Sequence, residues 1–294
     1  SGPELDAAVH YFDINQAGDL PDSPGRNVLR ASMPIEQLAR LMRVRVEDLG
    51  QTLASAKAKL LDARRLRPAP WIDKTIFADV NGSYIRACCQ AHCLLGDAAA
   101  LDLAERAADR VLRQCLRRDG RLLHYVLPPG PRATGATECA VLGQLADHAY
   151  LAWGLLGIYG ITGQADRLNS AVRLLDYVLE SLEDRVAGGF FDRPADRRAW
   201  PAAQPADVDE PMLASLPAQF KPWEDSPVQS PNSVACLALL EAWQFTGRDD
   251  FRQAAARAIQ SMAGAIDPAV GLFMSGWGLA ADALLHPPTH VVIV

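Results

Sequence analysis

The run RACCQAHCLLGD, Arg86–Asp97, packs three cysteines and a histidine into six residues. Thiolate and imidazole are the usual donors of zinc sites. On a helix Cys88 and His92 share a face, as do Cys89 and Cys93, because residues four apart stack. A second set of chemically capable residues is scattered: His124, Asp147, His148, Asp192, Glu224 and Asp225, with Trp200, Trp223 and Trp277. Carboxylates and histidines can supply the acid and base that glycoside hydrolysis or epimerisation next to a carbonyl needs. Indole rings can stack on the apolar face of a sugar. Which set acts depends on the elements that carry it.

Three segments align on a glycine: NGSYIRACCQAHCLLGD at Gly96, HAYLAWGLLGIYGITGQ at Gly163 and NSVACLALLEAWQFTGR at Gly247. Each is an apolar helical run closed by glycine, the common residue just past a helix end. Each is followed by a second amphipathic segment, so the repeating unit is helix, tight turn, helix. Counting back from the glycines, Cys88 and Cys89 match Leu155 and Leu156, then Leu239 and Leu240; His92 matches Tyr159 and Trp243. Cysteines in leucine positions are core residues. Cys88, Cys89 and Cys93 are therefore expected as buried thiols, and no metal site is expected there.

The hairpins fall at about 80–118, 146–183 and 231–264. Helices are expected at Ile35–Met42, Val46–Leu66 and Gly278–Leu285, with residues 1–34 an extended connecting segment in which NVLR is a possible short strand. Residues 35–286 form the helical-hairpin part. Residues 287–294, within PPTHVVIV, read as the start of a truncated strand. The turns inside hairpins are short, whereas the connections between them, about Asp119–Leu145 and Asp184–Ser230, are long. Long loops in compact proteins are commonly functional. Hairpins stacked in one sense would gather these loops on one face.

Fifteen residues before the three glycines stand Asn81, His148 and Asn232, with Asp79, Asp147, Ser230 and Ser233 beside them. These are helix N-termini, where Asn, Asp and Ser commonly cap and where free N–H groups favour anions and polar ligands. Asn81, His148 and Asn232 are expected to converge on one rim beneath the long loops. His148 titrates near neutrality and is the first choice for acid or base, with Asp147 or Glu224 as partner. Asn81, Asn232, Asp225, His124, Asp192, Trp223 and Trp277 are candidates for substrate binding.

Six pieces in order, GRNVLR, AKAKLLDARRLRPAPWIDKTIFADVNG, LADHAYLAWGLLGIY, GGFFD, KPWEDSPVQSPNSVACLALLEA and PPTHVVIV, resemble the thioredoxin-domain-containing family typified by bacterial YyaL and the mammalian spermatogenesis-associated protein. The resemblance implies an all-α fold: an (α/α) toroid of helical hairpins, similar to N-acylglucosamine 2-epimerase and other six-hairpin, glycosidase-like proteins, with short β segments in the long loops and at the C-terminus. It also implies a thioredoxin-like domain preceding this portion; the chain itself has no Cys-x-x-Cys. Six hairpins need twelve helices and eight or nine can be placed, so an incomplete ring is expected. Where the family has Trp-Asn-Gly, this chain has Val80-Asn81-Gly82. Its DSPVQSPNS keeps Asp225, Ser230, Asn232 and Ser233 of a longer family run.

The 294 residues are 49% hydrophobic and carry a net charge of −6. That acidity argues against nucleic-acid or anionic-membrane partners. No apolar run is long enough to span a membrane, and no signal peptide is visible. A cytoplasmic setting is expected. No phosphate-binding glycine loop, zinc signature or nucleophile elbow occurs, so no cofactor is expected. The reading is a toroid module that binds, and transforms in an epimerase- or hydrolase-like way, a carbohydrate-like small molecule. The alternative is a non-catalytic scaffold that binds a ligand or partner beside a thioredoxin domain.

Overall fold

The computed structural model describes residues 2–127, 141–194, 219–264, 271 and 273–288. The central parts of both long connections, Trp200, and residues 289–294 of the expected terminal strand lie outside these residues. The chain divides into two compact units, Ser1–Asp73 and Lys74–Val294.

The first unit holds α1 (Pro3–Phe12), α2 (Ile35–Met42) and α3 (Val46–Arg65) around Ala7, Leu38, Ala39, Leu49 and Leu53. Helix α1 departs from the extended segment expected over 1–34. Its sequence PELDAAVHYF places Pro at the first helical position and Glu4 and Asp6 in the first turn, and it buries Ala7, Ala8 and Phe12. Asn27–Arg30 form no strand. The boundary between the units also falls later than residue 34, after α3.

The second unit consists of three hairpins: α4 (Ala78–Leu95) with α5 (Ala98–Cys115), α6 (Leu145–Thr162) with α7 (Ala165–Ser181), and α8 (Pro231–Thr246) with α9 (Asp249–Ala263). They are followed by α10 (Ser275–Leu285). Gly96, Gly163 and Gly247 each close a first helix in the left-handed region, at φ 69°, 68° and 70°, with the glycine N–H donating to the carbonyl four residues back. A side chain would be strained at that backbone conformation, so these turns are specified locally.

Helices α4, α6 and α8 pack side by side as an inner layer, and α5, α7 and α9 each cover their own partner. This is the two-layered arrangement of an (α/α) toroid arc. The inner helices run in the same sense. Gly82 of α4 abuts the backbone of Tyr150 and Leu151 in α6, and Cys89 lies against Gly157, so both chains advance together. Likewise Tyr150 bonds Gln229 ahead of α8, while Tyr159 meets Phe245 near its end. A Cβ on Gly82 would lie 2.5 Å from the Leu151 nitrogen, so the close approach requires glycine. Helix α6 lies between two inner neighbours and α7, which is why it is apolar on every side and buries twelve of its 18 residues. Each fully buried leucine there contributes roughly 1.5–3 kcal/mol. Arg86 of α4 crosses α6 over Gly157 to donate from Nη1 to Glu241 Oε1 of α8 at 2.9 Å.

The cysteine run lies on α4. Cys88 and Cys89 are buried, in keeping with their leucine register, and burial pushes the Cys89 thiol up to about 11. Cys93 is exposed, contrary to expectation. The last turn of α4 stands clear of its neighbours, as Leu94 and Leu95 beside it are also exposed. His92 Nδ1 lies 3.0 Å from the Asp97 carbonyl. No helix among the described residues is long and apolar enough to cross a membrane.

Candidate functional site

Because α4, α6 and α8 are parallel, their N-termini share one end of the unit. A short antiparallel pair brings a loop residue there. Strand β1 (Ile76–Phe77) pairs with β2 (Tyr125–Val126) in the register Ile76↔Val126 and Phe77↔Tyr125. The next rung, Ala78 N–H donating to the His124 carbonyl at 2.9 Å, fixes His124 against the start of α4. The first turn of α6 supplies Asp147 and the first turn of α4 supplies Asp79.

His124 Nδ1 lies 3.0 Å from Asp147 Oδ1. Asp79, His124 and Asp147 each offer a donor atom, and these atoms lie within 4.8 Å of one another. Among the described residues this is the group of three His, Cys, Asp or Glu side chains close enough to hold a metal ion; the cysteine run is not one. Asp147 is fully buried; the Asp79 backbone N–H faces its carboxylate, but Oδ2 makes no hydrogen bond of good geometry. Burial pushes its carboxyl up to about 6, against the opposing pull of His124. The bond to Asp147 raises the His124 imidazole above its ordinary value, against partial burial. Both shifts favour a proton held between the two groups. The His124 side chain keeps 25% of its surface exposed, and with Nδ1 on Asp147 it can present Nε2 outward. Phe77 and Tyr125 meet its ring edge-on at 5.6 and 6.0 Å.

The other expected site residues are engaged within the protein. His148 is fully buried and stacks on Tyr177, with centroids 4.4 Å apart. Its Nδ1 lies 2.7 Å from the Gln144 carbonyl and its Nε2 3.4 Å from that of Gly120. Burial pulls the ring down to about 4, so at neutral pH it is uncharged. The acid–base role expected of His148 finds no exposed ring nitrogen here, whereas the His124 side chain keeps an exposed part. Asn81 donates to the Phe77 carbonyl at 2.7 Å and stays partly buried. The fully buried Asn232 accepts from Phe190 N–H at 2.7 Å and donates to the Phe190 and Pro222 carbonyls at 2.9 and 3.1 Å. The trio shares an end of the helical layer, but its members share no partner.

Asp225 Oδ1 accepts from Ser230 N–H at 2.7 Å, and Oδ2 accepts from Gly276 N–H at 2.6 Å and the Ser275 hydroxyl at 3.1 Å. It thus clamps the starts of α8 and α10 together. Asp192 Oδ1 accepts from Phe220 N–H at 3.2 Å, and its carbonyl accepts from Leu145 N–H. Trp277 is buried and donates its indole N–H to the Trp223 carbonyl at 2.8 Å, so it is a core residue and not a stacking platform. Trp223 is half-buried and, with exposed Glu224, lines an open cleft bounded also by Met262 and Phe273. Glu224 is not part of the Asp79–His124–Asp147 group. Two residues gain importance. Asp79 entered the sequence reading only as a neighbour of Asn81, although a carboxylate in a first turn matching that of Asp147 was the signal. Tyr150, whose hydroxyl donates to the Gln229 carbonyl, is raised by burial and by the nearby charges of Asp79 and Asp225.

No family model matches the chain. It is similar to spermatogenesis-associated protein 20 of Homo sapiens, 28% identical over 253 residues, covering 83% of this chain and 30% of that protein. The Mus musculus protein of that name is 25% identical over 251 residues, with the same two shares. The chain spans about 30% of the length of the curated relatives it matches. A solved GH76 α-mannanase of Bacteroides thetaiotaomicron is similar at a TM-score of 0.48 and 15% identity, over 73% of this chain and 52% of that one. Cellobiose 2-epimerase of Spirochaeta thermophila is similar at 0.47 and 15%, over 64% and 43%. The relationship carried by the six sequence segments thus extends over most of the chain, whose homologues include the mammalian spermatogenesis-associated 20 proteins.

Proposed function

We propose that the loop-side end of the inner helices binds a carbohydrate-like ligand and that His124, held by Asp147, moves a proton on it. The observation that carries this reading is the Asp147 side chain: fully buried, with Oδ1 on His124 and Oδ2 without a partner. A buried polar atom left unpaired is costly, and a ligand hydroxyl would satisfy it. In an epimerase-like step His124 Nε2 would take a proton from the carbon next to a carbonyl, with Asp147 orienting the ring. Asp79 would accept from a second hydroxyl, and Phe77 and Tyr125 would flank the sugar face. The module is proposed to work beside a thioredoxin-like domain.

Proton NMR of the chain in D2O with glucose, mannose and cellobiose, in the presence of EDTA, tests the reading. Saturation transfer to a sugar and deuterium gain at its C2 are expected, and His124→Ala should slow the exchange by about 10²-fold or more. Absence of binding to every sugar would overturn it. A non-catalytic scaffold is the second reading, and the internal saturation of Asn232 and Asp225 favours it. Sugar binding without deuterium exchange would decide for that alternative.

A further inference from the structure

We propose that Asp79, His124 and Asp147 form a site for a divalent cation that accepts both oxygen and nitrogen ligands, Mn2+ or Zn2+. The donor atoms come from three separate elements, the first turns of α4 and α6 and the residue ahead of β2, yet lie within 4.8 Å of one another. His124 Nδ1 and Asp147 Oδ1 are 3.0 Å apart. Two ligands at right angles on metal bonds of about 2.1 Å stand about 3 Å apart, so a cation can replace the proton between them with little movement.

The second observation is independent of that spacing. Asp147 is fully buried, and its Oδ2 lacks a partner. Proteins seldom bury a carboxylate oxygen with nothing to satisfy it, and a cation at this cluster would do so. Two carboxylates and a neutral imidazole balance a double positive charge. Imidazole beside carboxylates suits Mn2+ and Zn2+; Ca2+ asks for six to eight oxygens, and no sulfur is present for softer ions. Three protein ligands leave positions open, as in sites where a water or substrate completes the shell.

The inference rests on the cluster and not on the carbohydrate reading; with the ion bound, His124 and Asp147 are ligands and not a proton-handling pair. The test is a titration of the chelator-treated full chain with MnCl2 at 0.15 M salt, followed by electron paramagnetic resonance of free Mn2+. One bound Mn2+ per chain is expected, with affinity falling at least tenfold in Asp79→Asn and in Asp147→Asn. Circular dichroism and melting curves establish that both variants are folded. Asp79 is only partly buried, so Asp79→Asn guards against a folding failure of the other. No bound Mn2+, or binding equal to wild type in both folded variants, would overturn the proposal. Because the sugar experiment contains EDTA and this one contains no sugar, either reading can fail alone.

Discussion

Two stretches of one rim are both built from polar residues and end differently. Where α8 begins, Asp225, Ser230, Asn232 and Ser233 direct their polar atoms into the protein. Asn232 mimics a backbone rung against Phe190, Ser230 caps α8, and Asp225 ties α8 to α10. Where α4 and α6 begin, Asp79, His124 and Asp147 gather, and Asp147 Oδ2 is left without a partner of good geometry. Both stretches lie at the N-termini of parallel inner helices, so the dipoles do not distinguish them. The difference is in the supply of partners. The α8 end is covered by loop backbone from 188–192 and 219–225, which brings its own N–H and carbonyl groups. At the α4–α6 end the loop delivers a histidine, and one buried oxygen is left over. Polar residues at equivalent positions have their bonds met where loop backbone covers them, and one buried oxygen is left over where it does not.

The comparison can be broken by substitution. The largest effect is expected for Asn232→Ala, which strips partners from the buried Phe190 N–H and carbonyl; chemical denaturation should show a loss of about 3–5 kcal/mol. A loss under about 1 kcal/mol would mean that the α8 rim is not held by this amide. Next comes pH. The folded-state value of His148, about 4, lies below the ordinary 6.5. The neutral ring therefore contributes stability that is complete above about 6.5 and lost as pH falls towards 4, up to about 3 kcal/mol. Asp147, pushed up to about 6, gains stability over the same range and masks this slope in the wild type, so it is the difference between wild type and His148→Gln, measured by denaturation between pH 7 and 4, that should show it. An unchanged slope in the variant would place the titration on other groups.

Asp225→Ala is expected to cost about 2–3 kcal/mol, since charge-assisted bonds to the starts of two helices go together. The smallest effect sharpens the contrast most. Asp147→Asn keeps the shape and removes a buried charge with an unpaired oxygen, so stability should stay within about 1 kcal/mol of wild type, measured by the same denaturation. A cost as large as that of Asn232→Ala would make Asp147 another structural rim residue.

Much of the fold was legible because its signals are local. A glycine that closes an apolar run needs only its own φ to end the helix, so the turns at Gly96, Gly163 and Gly247 could be placed from spacing. The burial of Cys88 and Cys89 followed from their register with leucines. Helix α1 was hidden because PELDAAVHYF, although it carries its own start signals, opens a segment whose remainder is rich in Pro, Gly and Asp. The candidate site was legible only as a rim. His124 and Asp147 stand 23 residues apart on different elements, and their pairing depends on the β1–β2 register, which two-residue strands do not announce.

By itself, the sequence determined the three helical hairpins, the turns that close them and which helix starts carry polar residues, because periodicity, capping and glycine act within a few residues. Only the tertiary structure decided that His148 is buried against Tyr177 while His124 meets Asp147. Register states which turn of a helix a side chain occupies, whereas its chemistry depends on what packs across from that turn. At Asn232 the opposing atoms are backbone groups that use up its hydrogen bonds; at Asp147 they leave one oxygen for something else to fill.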